Sequence, residues 1–323
     1  MNTDESQLTV VILTKNEEKT LPRCLKALPA GLEVVVLDSG SSDHTRAIAE
    51  AHGSRVLEHA WEGYAQQRNY ALERCGITTP WVLFIDADEV FPAEFFRWAE
   101  HAMKGQLAEV DAVMVPSYFH LRGKRLNHAP GYPIYHARLL RRAKARFLSH
   151  HDGGFGENIQ AGCRITHCSI AYDHFFYDGE LLEWLHKHVD HASREIRVRR
   201  EGITLNPRKH LSMMLGNSFW KAPLRFFYHY VLRGGFLDGR AGLEFAMMFA
   251  WYEATKFLLA RYQESREANT LVSLSSWERA GVRASGHCTL SLPDRETTCA
   301  MTVSADPAPE TAPTTTILQR SAL

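Results

Sequence analysis

Five strand-like runs, the first apolar and β-branched and the third weaker, alternate with segments of helical spacing across residues 8–121, and this alternation restricts the fold more than any other feature of the chain. The runs are LTVVILT (8–14), EVVVLDS (33–39), SRVLEHA (54–60), WVLFID (81–86) and DAVMVPSYFHL (111–121). Between them lie NEEKTLPRCLKALP (16–29), with Leu21, Leu25 and Leu28 at helical spacing, and SSDHTRAIAEAHG (41–53), which opens on Ser and Asp and closes on Gly. GYAQQRNYALERC (63–75) and PAEFFRWAEHAMKG (92–105), with Pro at its first turn, complete the set. Short continuous apolar runs read as strands buried on both faces, and the Ser/Asp, Gly and Pro positions are helix start and stop signals. The pattern predicts an α/β fold: a mostly parallel sheet with helices on both faces. Such sheets bind ligands beyond the carboxyl ends of their strands. The polar signatures fall at those ends: Lys15-Asn16-Glu17 after Thr14, Asp38-Ser39, and Asp86-Ala87-Asp88.

Beyond residue 121 the signals weaken. Residues 122–175 read as loop-rich, 179–201 as a helix, and 211–262 as two or three helices rich in aromatic and basic residues. From about 264 the composition turns to Ser, Thr, Ala and Pro, which predicts a disordered tail. The expected organisation is a domain over 1–205, a helical region over 206–263 and a tail over 264–323. Length and an apolar content of 45% suit a soluble globular chain with a sizeable core. The six Cys form no CxxC pair and the start MNTDESQLTVVIL lacks the features of a signal peptide. A cytoplasmic chain with reduced thiols is the expectation. The longest apolar stretch, 243–260, is interrupted by Glu244, Glu253 and Lys256, too charged to span a bilayer comfortably.

The formal net charge is zero, yet residues 118–240 carry 20 Lys+Arg against 10 Asp+Glu. A basic middle suits phosphate-rich substrates or an anionic membrane surface, and equally a solvated basic face. RLLRRAKAR (138–146) concentrates this charge, but no nucleic-acid-binding motif accompanies it. SFWKAPLRFFYHYVLRGGFL (218–237) mixes Trp, Phe and Tyr with Lys and Arg, the composition of an interfacial membrane helix or of a helix packed on the main domain.

Asp86 and Asp88 end an apolar strand, and alternate residues of an extended segment point the same way. One carboxylate can reach a divalent cation, Mg²⁺ or Mn²⁺, that also holds a diphosphate, while the other meets a ribose or a bound water. A short acidic pair is otherwise a turn or cap. Asp38, with Ser39 beside it, stands where a carboxylate can accept from a base N–H or a ribose hydroxyl; Asp43 reads as a helix cap.

Taken together, VVILTKNEEKTLPRCLKAL, VVVLDSGSSDHT, QQRNYALE and WVLFIDADE, in this order and spacing, resemble the family-2 glycosyltransferases of the GT-A fold over about residues 8–260. The resemblance implies a nucleotide-sugar donor, with Asp38 at the base, Glu17 near the ribose, Arg68 and Asn69 near the nucleotide, and Asp86 and Asp88 at the metal. Thr14, Asn16 and Ser39 join the nucleotide-binding set by their place at the strand ends. FGENI, HCSIAYDHFFYDGELLEWLHKHVDHAS and RFFYHYVLRGGFLDGRAGLEFA further resemble the lipopolysaccharide-core β-glucosyltransferase-like subgroup. That implies an inverting hexosyltransferase, peripheral on the inner face of the cytoplasmic membrane, with a uridine-diphosphate sugar as donor and a glycolipid or saccharide acceptor. In the subgroup a Glu in a His-Glu context is the base; here Gly156 precedes Glu157.

An inverting transfer needs a base for the acceptor hydroxyl. Glu157, after the Gly-rich HHDGGFGE, is the first choice and Asp152 the second; Glu157 paired to a nearby Arg is the alternative. His174 in YDHFFYDG reads as a third metal ligand, a diphosphate contact or a packed ring. Gly-rich phosphate loops are absent: LTKNEEKT holds no Gly, against a nucleotidyltransferase or a GxGxxG dehydrogenase. The competing reading is a non-catalytic, membrane-peripheral protein that binds nucleotide sugars.

Overall fold

The computed structural model describes residues 7–148, 158–177, 179, 181–200 and 218–279. Among the described residues ten strands form one sheet: β1 (Leu8–Thr14), β2 (Glu33–Asp38), β3 (Arg55–Glu58), β4 (Trp81–Asp86), β5 (Glu89–Val90), β6 (Ala112–Leu121), β7 (Lys124–Leu126), β8 (Ile134–Arg141), β9 (Ile165–His167) and β10 (Tyr172–Tyr177). The order is β3-β2-β1-β4-β8-β6-β10-β5, with β7 and β9 also paired to β6. From β3 to β4 all pairs are parallel; β8 then runs antiparallel to both β4 and β6. The chain winds outward from β1 to β3 and returns to the other side of β1 with β4. That reversal opens a crevice at the carboxyl ends of β1 and β4.

Alternation along the strands sorts the core into two layers. Val10 and Ile12 of β1, with Trp81, Leu83 and Ile85 of β4, pack against α1 (Leu21–Lys26), α2 (Thr45–Ala51) and α4 (Ala93–Met103). Val11, Val82 and Phe84 pack on the other face against α3 (Tyr64–Arg74). The expected helices on both faces are therefore present. The first helix is shorter than its spacing suggests: residues 15–20 form the loop after β1, and α1 starts at Leu21 with Pro22 in its first turn.

Residues 122–175 correct the sequence reading, since β7, β8, β9 and most of β10 lie there. β8, IYHARLLR, escaped notice because a central strand is expected to be apolar, whereas this one buries Arg138 at 1% exposure. The run 138–146 is likewise no basic surface. Arg141 donates to the carbonyls of Val110, Leu107 and Ala108 and lies over the Trp81 ring, Arg142 donates to Thr79, and Arg146 pairs with Glu73. Its guanidinium groups are engaged by backbone carbonyls and carboxylates.

A third cluster joins Leu121, Leu126 and Ala129 to Trp184 of α5 (Leu181–Arg200) and to Ala241 and Phe245 of the last helix. The region expected to be helical contains α6 (Lys221–Phe227), a π-turn over Tyr228–Leu232, a 3-10 turn over Gly235–Asp238 and α7 (Arg240–Arg279). The buried Asp238 carboxylate accepts the backbone N–H groups of Asn127, His128 and Ala129, which ties this region to the strand hairpin β6–β7. Gly242 permits the tight entry into α7, because a Cβ there would collide with the Gly235 carbonyl. The chain divides into two compact units, Met1–Ala260 and Arg261–Leu323. Helix α7 continues through the composition change at 264 to Arg279, so helix extends past the expected boundary at 263. Among the described residues no helix is long and apolar enough to cross a membrane.

Candidate active site

Strand parity decides where the acidic motif points. Asp86 shares the face of Val82 and Phe84, the α3 side, and meets Arg68 of α3: the guanidinium donates to Oδ1 at 3.2 Å and Oδ2 at 3.4 Å. Arg138 of β8 donates to Asp86 Oδ2 at 2.9 Å and, through the same nitrogen, to Glu89 Oε1 at 2.5 Å. Glu89 is fully buried, and its Oε2 accepts the Asp86 backbone N–H at 3.0 Å. Burial pushes the Glu89 carboxyl above its ordinary pKa, with the Arg138 charge working against that rise. Asp86 is thus held from three sides, by α3, β8 and the start of β5.

Asp88 is not on an extended strand, as the alternation suggested, but in the two-residue turn between β4 and β5. It faces β10: His174 Nε2 lies 3.3 Å from Asp88 Oδ2, and the Asp88 carbonyl accepts the Phe175 N–H. Burial disfavours the ionised Asp88, but the charge and hydrogen bond of His174 outweigh it and hold the carboxyl at about 2. Burial also opposes the imidazolium, yet Asp88, with Glu89 and Asp86 behind it, lifts His174 to about 9. Of the residues expected at a metal, the structure joins Asp88 to His174, while Asp86 is turned to Arg68 and Arg138. Among the described residues no three His, Cys, Asp or Glu side chains form a cage that could hold a metal unaided. Asp88 and His174, each partly exposed, make a two-ligand set of oxygen and imidazole that fits a cation whose other positions come from a diphosphate and water. Such binding would displace the His174 proton.

The β1 and β2 ends are laced together. Thr14 Oγ1 and Ser41 Oγ donate to Asp38 Oδ2, and the N–H groups of Gly40 and Ser41 donate to Oδ1. Asp38 is fully buried, so its carboxylate here organises the loop, in place of the free nucleotide-facing group expected of it. Asn16 takes the left-handed conformation at φ 56° and its Oδ1 accepts the Ser42 N–H. Asp43 accepts from Thr45 N and Glu18 N, a cap that also joins the two loops. Ser39 Oγ accepts from Gln67 of α3. Thr14, Asn16, Asp38 and Ser39 thus shape the rim of the crevice.

Glu17 stands on that rim, hydrogen-bonded by Thr20 at 2.6 Å. Burial raises its carboxyl pKa, opposed by the positive charge of Lys187 on α5. Asn69 departs from its expected place near a nucleotide: its amide donates to the Phe147 carbonyl and accepts the Phe147 N–H, replacing a strand neighbour. Phe147 pairs with Ile159 across a short bridge, Leu148 donates to Asn158 and Gln160 to Arg146. Asn69 therefore fixes the stem from which residues 149–157 depart. Glu157 and Asp152, the expected bases, lie outside the described residues. The reading from sequence missed Arg138, Glu89 and Lys187. Glu89 follows the acidic pair directly, and Lys187 stands four residues after Glu183 on the helix stripe nearest Lys19.

Residues 9–169 match the family model for glycosyl transferase family 2. Lipopolysaccharide core biosynthesis glycosyltransferase LpsC of Rhizobium meliloti (strain 1021) is 39% identical over 87 residues, 25% of this chain and 32% of that protein. An uncharacterized glycosyltransferase of Rickettsia felis is 38% identical over 89 residues, 27% of this chain and 31% of that protein. The chain thus spans about a third of the length of these curated relatives. Among solved structures, the mannosyltransferase PcManGT from Pyrobaculum calidifontis, in complex with GDP-Man and Mn²⁺, aligns at 17% identity with a TM-score of 0.49, covering 80% of this chain and 87% of that one.

Two outcomes follow from the charge arrangement. Arg138→Met takes the guanidinium from the buried Glu89 carboxyl and from Asp86, and should cost roughly 3–5 kcal/mol in urea unfolding. In the double variant with Glu89→Leu the losses should be less than additive; a loss under about 1 kcal/mol for the single variant would show the pair to be incidental. The Asp88–His174 contact sets a pH window. A depressed Asp88 stabilises above the unfolded value of 3.8 and the benefit fades as pH falls towards about 2; a raised His174 stabilises below the unfolded 6.5 and the benefit fades as pH rises towards about 9. The metal-free protein should gain most from this one contact between about pH 4 and 6.5. The melting-temperature gap between wild type and His174→Gln should then shrink from pH 6.5 to 9. A gap that stays constant there contradicts the assignment.

Proposed function

Because this chain belongs through residues 9–169 to glycosyl transferase family 2, we propose that it moves a hexose from a nucleoside-diphosphate sugar, a uridine-diphosphate donor, to a hydroxyl of a lipopolysaccharide-core or other glycolipid or polysaccharide acceptor, with inversion at the anomeric carbon. The observation that carries this reading is the Asp88–His174 contact at the β1–β4 reversal, two residues on from an Asp86 that arginines hold in place.

The rim residues Thr14, Asn16, Asp38 and Ser39 give the nucleoside a rigid floor, and Glu17 faces the ribose. A divalent cation, Mg²⁺ or Mn²⁺, held by Asp88 and His174 beside Asp86, would neutralise charge on the departing diphosphate. Arg68 and Arg138 keep the Asp86 carboxylate from turning away, so its orientation is set before the donor arrives. The base is assigned to Glu157, with Asp152 second. In favour of this assignment, the described residues that flank both in sequence, 146–148 and 158–160, pair with each other and are tied to α3 through Asn69.

The acceptor class fits an apolar outer face. Phe219, Trp220, Leu224, Phe227, Leu232 and Leu237 are each about half exposed or more. The basic half of the expected interfacial pattern is largely spent, since Lys221 is buried and Arg225 pairs with Glu253 at 2.9 Å. Attachment to the inner face of the cytoplasmic membrane would then rest on aromatic insertion more than on charge.

Turnover is tested by release of nucleoside diphosphate from a panel of nucleotide hexoses with Mg²⁺ or Mn²⁺ and a core oligosaccharide. Asp88→Ala should abolish it, and Glu157→Gln should lower it by about 10²–10⁴ with donor affinity retained. Full activity in both Asp86→Ala and Asp88→Ala would overturn the transferase reading. For the surface, wild type should sediment with vesicles containing phosphatidylglycerol, resist release by salt, and lose the interaction on combined Trp220→Ser and Leu232→Ser; a wild type that stays in the supernatant excludes membrane attachment.

A further inference from the structure

The cations around the crevice are nearly all committed. Arg68 is bound to Asp86, Arg138 to Asp86 and Glu89, His174 to Asp88, and Lys15 to the carbonyls of Ser39 and Gly40. Lys187 differs. Its side chain is exposed to solvent, and among the described residues its ammonium makes no hydrogen bond or short ion pair. It nevertheless stands near enough to Glu17, Asp88, Tyr64 and Asp86 for its charge to bear on all four. Those residues belong to the loop after β1, the β4 end with its turn, and α3, the elements around the crevice.

Helix α5 explains the placement. Trp184 is buried in the third cluster and stacks on His188, one turn further on, with ring centroids 3.7 Å apart. Glu183 pairs with Lys19 in the loop after β1 at 3.2 Å. Lys187 follows Glu183 by four residues, and positions i and i+4 share a helix face. The stripe that reaches the β1 loop therefore carries Lys187 towards the carboxylates.

We propose that Lys187 binds the diphosphate of the donor nucleotide, as a positive charge additional to the one that Asp88 and His174 would hold. This rests on the transferase reading above. A crevice lined by Asp86, Asp88 and Glu17 repels a diphosphate unless cations face it, and Lys is well suited to phosphate as a compact point charge. In the transfer, the acceptor oxygen forms its bond to the anomeric carbon and its proton passes to the base. The bond from that carbon to the β-phosphate oxygen breaks, and its electron pair leaves on the diphosphate. Lys187 meets the charge that develops there, without giving up a proton. Partial desolvation beside its neighbours disfavours the charged form, but Glu17 and Asp88 more than compensate and raise its pKa, so it remains an ammonium at neutral pH.

Calorimetric titration of the full chain with UDP, UMP, GDP and GMP in Mn²⁺ separates the possibilities. Wild type should favour a diphosphate over its monophosphate. Lys187→Met should weaken diphosphate binding by about ten- to a hundredfold, leave the monophosphate nearly unchanged, and keep the wild-type melting temperature. Lys187→Arg should restore most of the affinity. Diphosphate affinity within about twofold of wild type in Lys187→Met overturns the proposal. So does an equal loss for mono- and diphosphate, which would mean that the residue acts only by seating α5. If wild type binds none of the four nucleotides, the transferase reading fails and the proposal goes with it.

Discussion

One buried guanidinium organises the centre of this molecule. Arg138 enters from β8, the strand at which the sheet changes from parallel to antiparallel, and joins Asp86 on β4 to Glu89 on β5. A buried ion pair is a poor source of net stability, because desolvation offsets most of the attraction. Its value here is geometric. With Glu89 also accepting the Asp86 N–H, the β4–β5 turn has one way to close, and that closure aims Asp88 at His174 on β10. Replacing the three groups with apolar residues could leave the sheet intact, but nothing would then fix the direction of the two aspartates.

A second framework, with no net charge partner, holds the other half of the crevice. The β1 and β2 loops have no regular structure to satisfy their N–H groups, and buried loops need side-chain acceptors. Asp38 and Asp43 supply them, and Asn16 takes a strained backbone conformation to reach Ser42. Carboxylates at strand ends thus serve two ends. Those of β2 are consumed in building the rim, while those of β4 remain partly exposed and face the open space. Position at the binding edge alone does not separate the two uses; the supply of local N–H donors does.

That distinction explains what the sequence made legible. β1, β2 and β4 are buried on both faces, so unbroken Val, Ile and Leu runs announced them, and the doubly wound arrangement with its crevice followed from their alternation with helices. β8 and β10 carry Arg138 and His174 because they deliver polar groups to the site, and strands that do so lose the apolar signature by which strands are found. Asn69 was misplaced for a related reason. Its neighbour Arg68 does point to the acidic motif, but one step along a helix turns the next side chain by about 100°, and Asn69 reaches Phe147 instead. Lys187 lies far along the chain from everything it faces, and a helix rich in charge offers no local reason to single out one residue.

The charges lie in layers, and the layering has a functional consequence. Glu89 is innermost, Arg138 and Arg68 surround Asp86, Asp88 with His174 comes next, and the exposed Lys187 is outermost. Each layer neutralises the one beneath, so a ligand arriving from solvent meets a cation first and the aspartates after it. Inner pairs are committed and cannot rearrange without leaving a buried charge alone. The outer ones are freer: Asp88 and His174 are partly exposed, and Lys187 is exposed. A diphosphate with its cation could thus exchange partners with Asp88, His174 and Lys187 while Arg138 and Glu89 stay fixed. Rigidity in the inner layer and exchange in the outer one is what a site needs if it must bind a highly charged nucleotide and then release it.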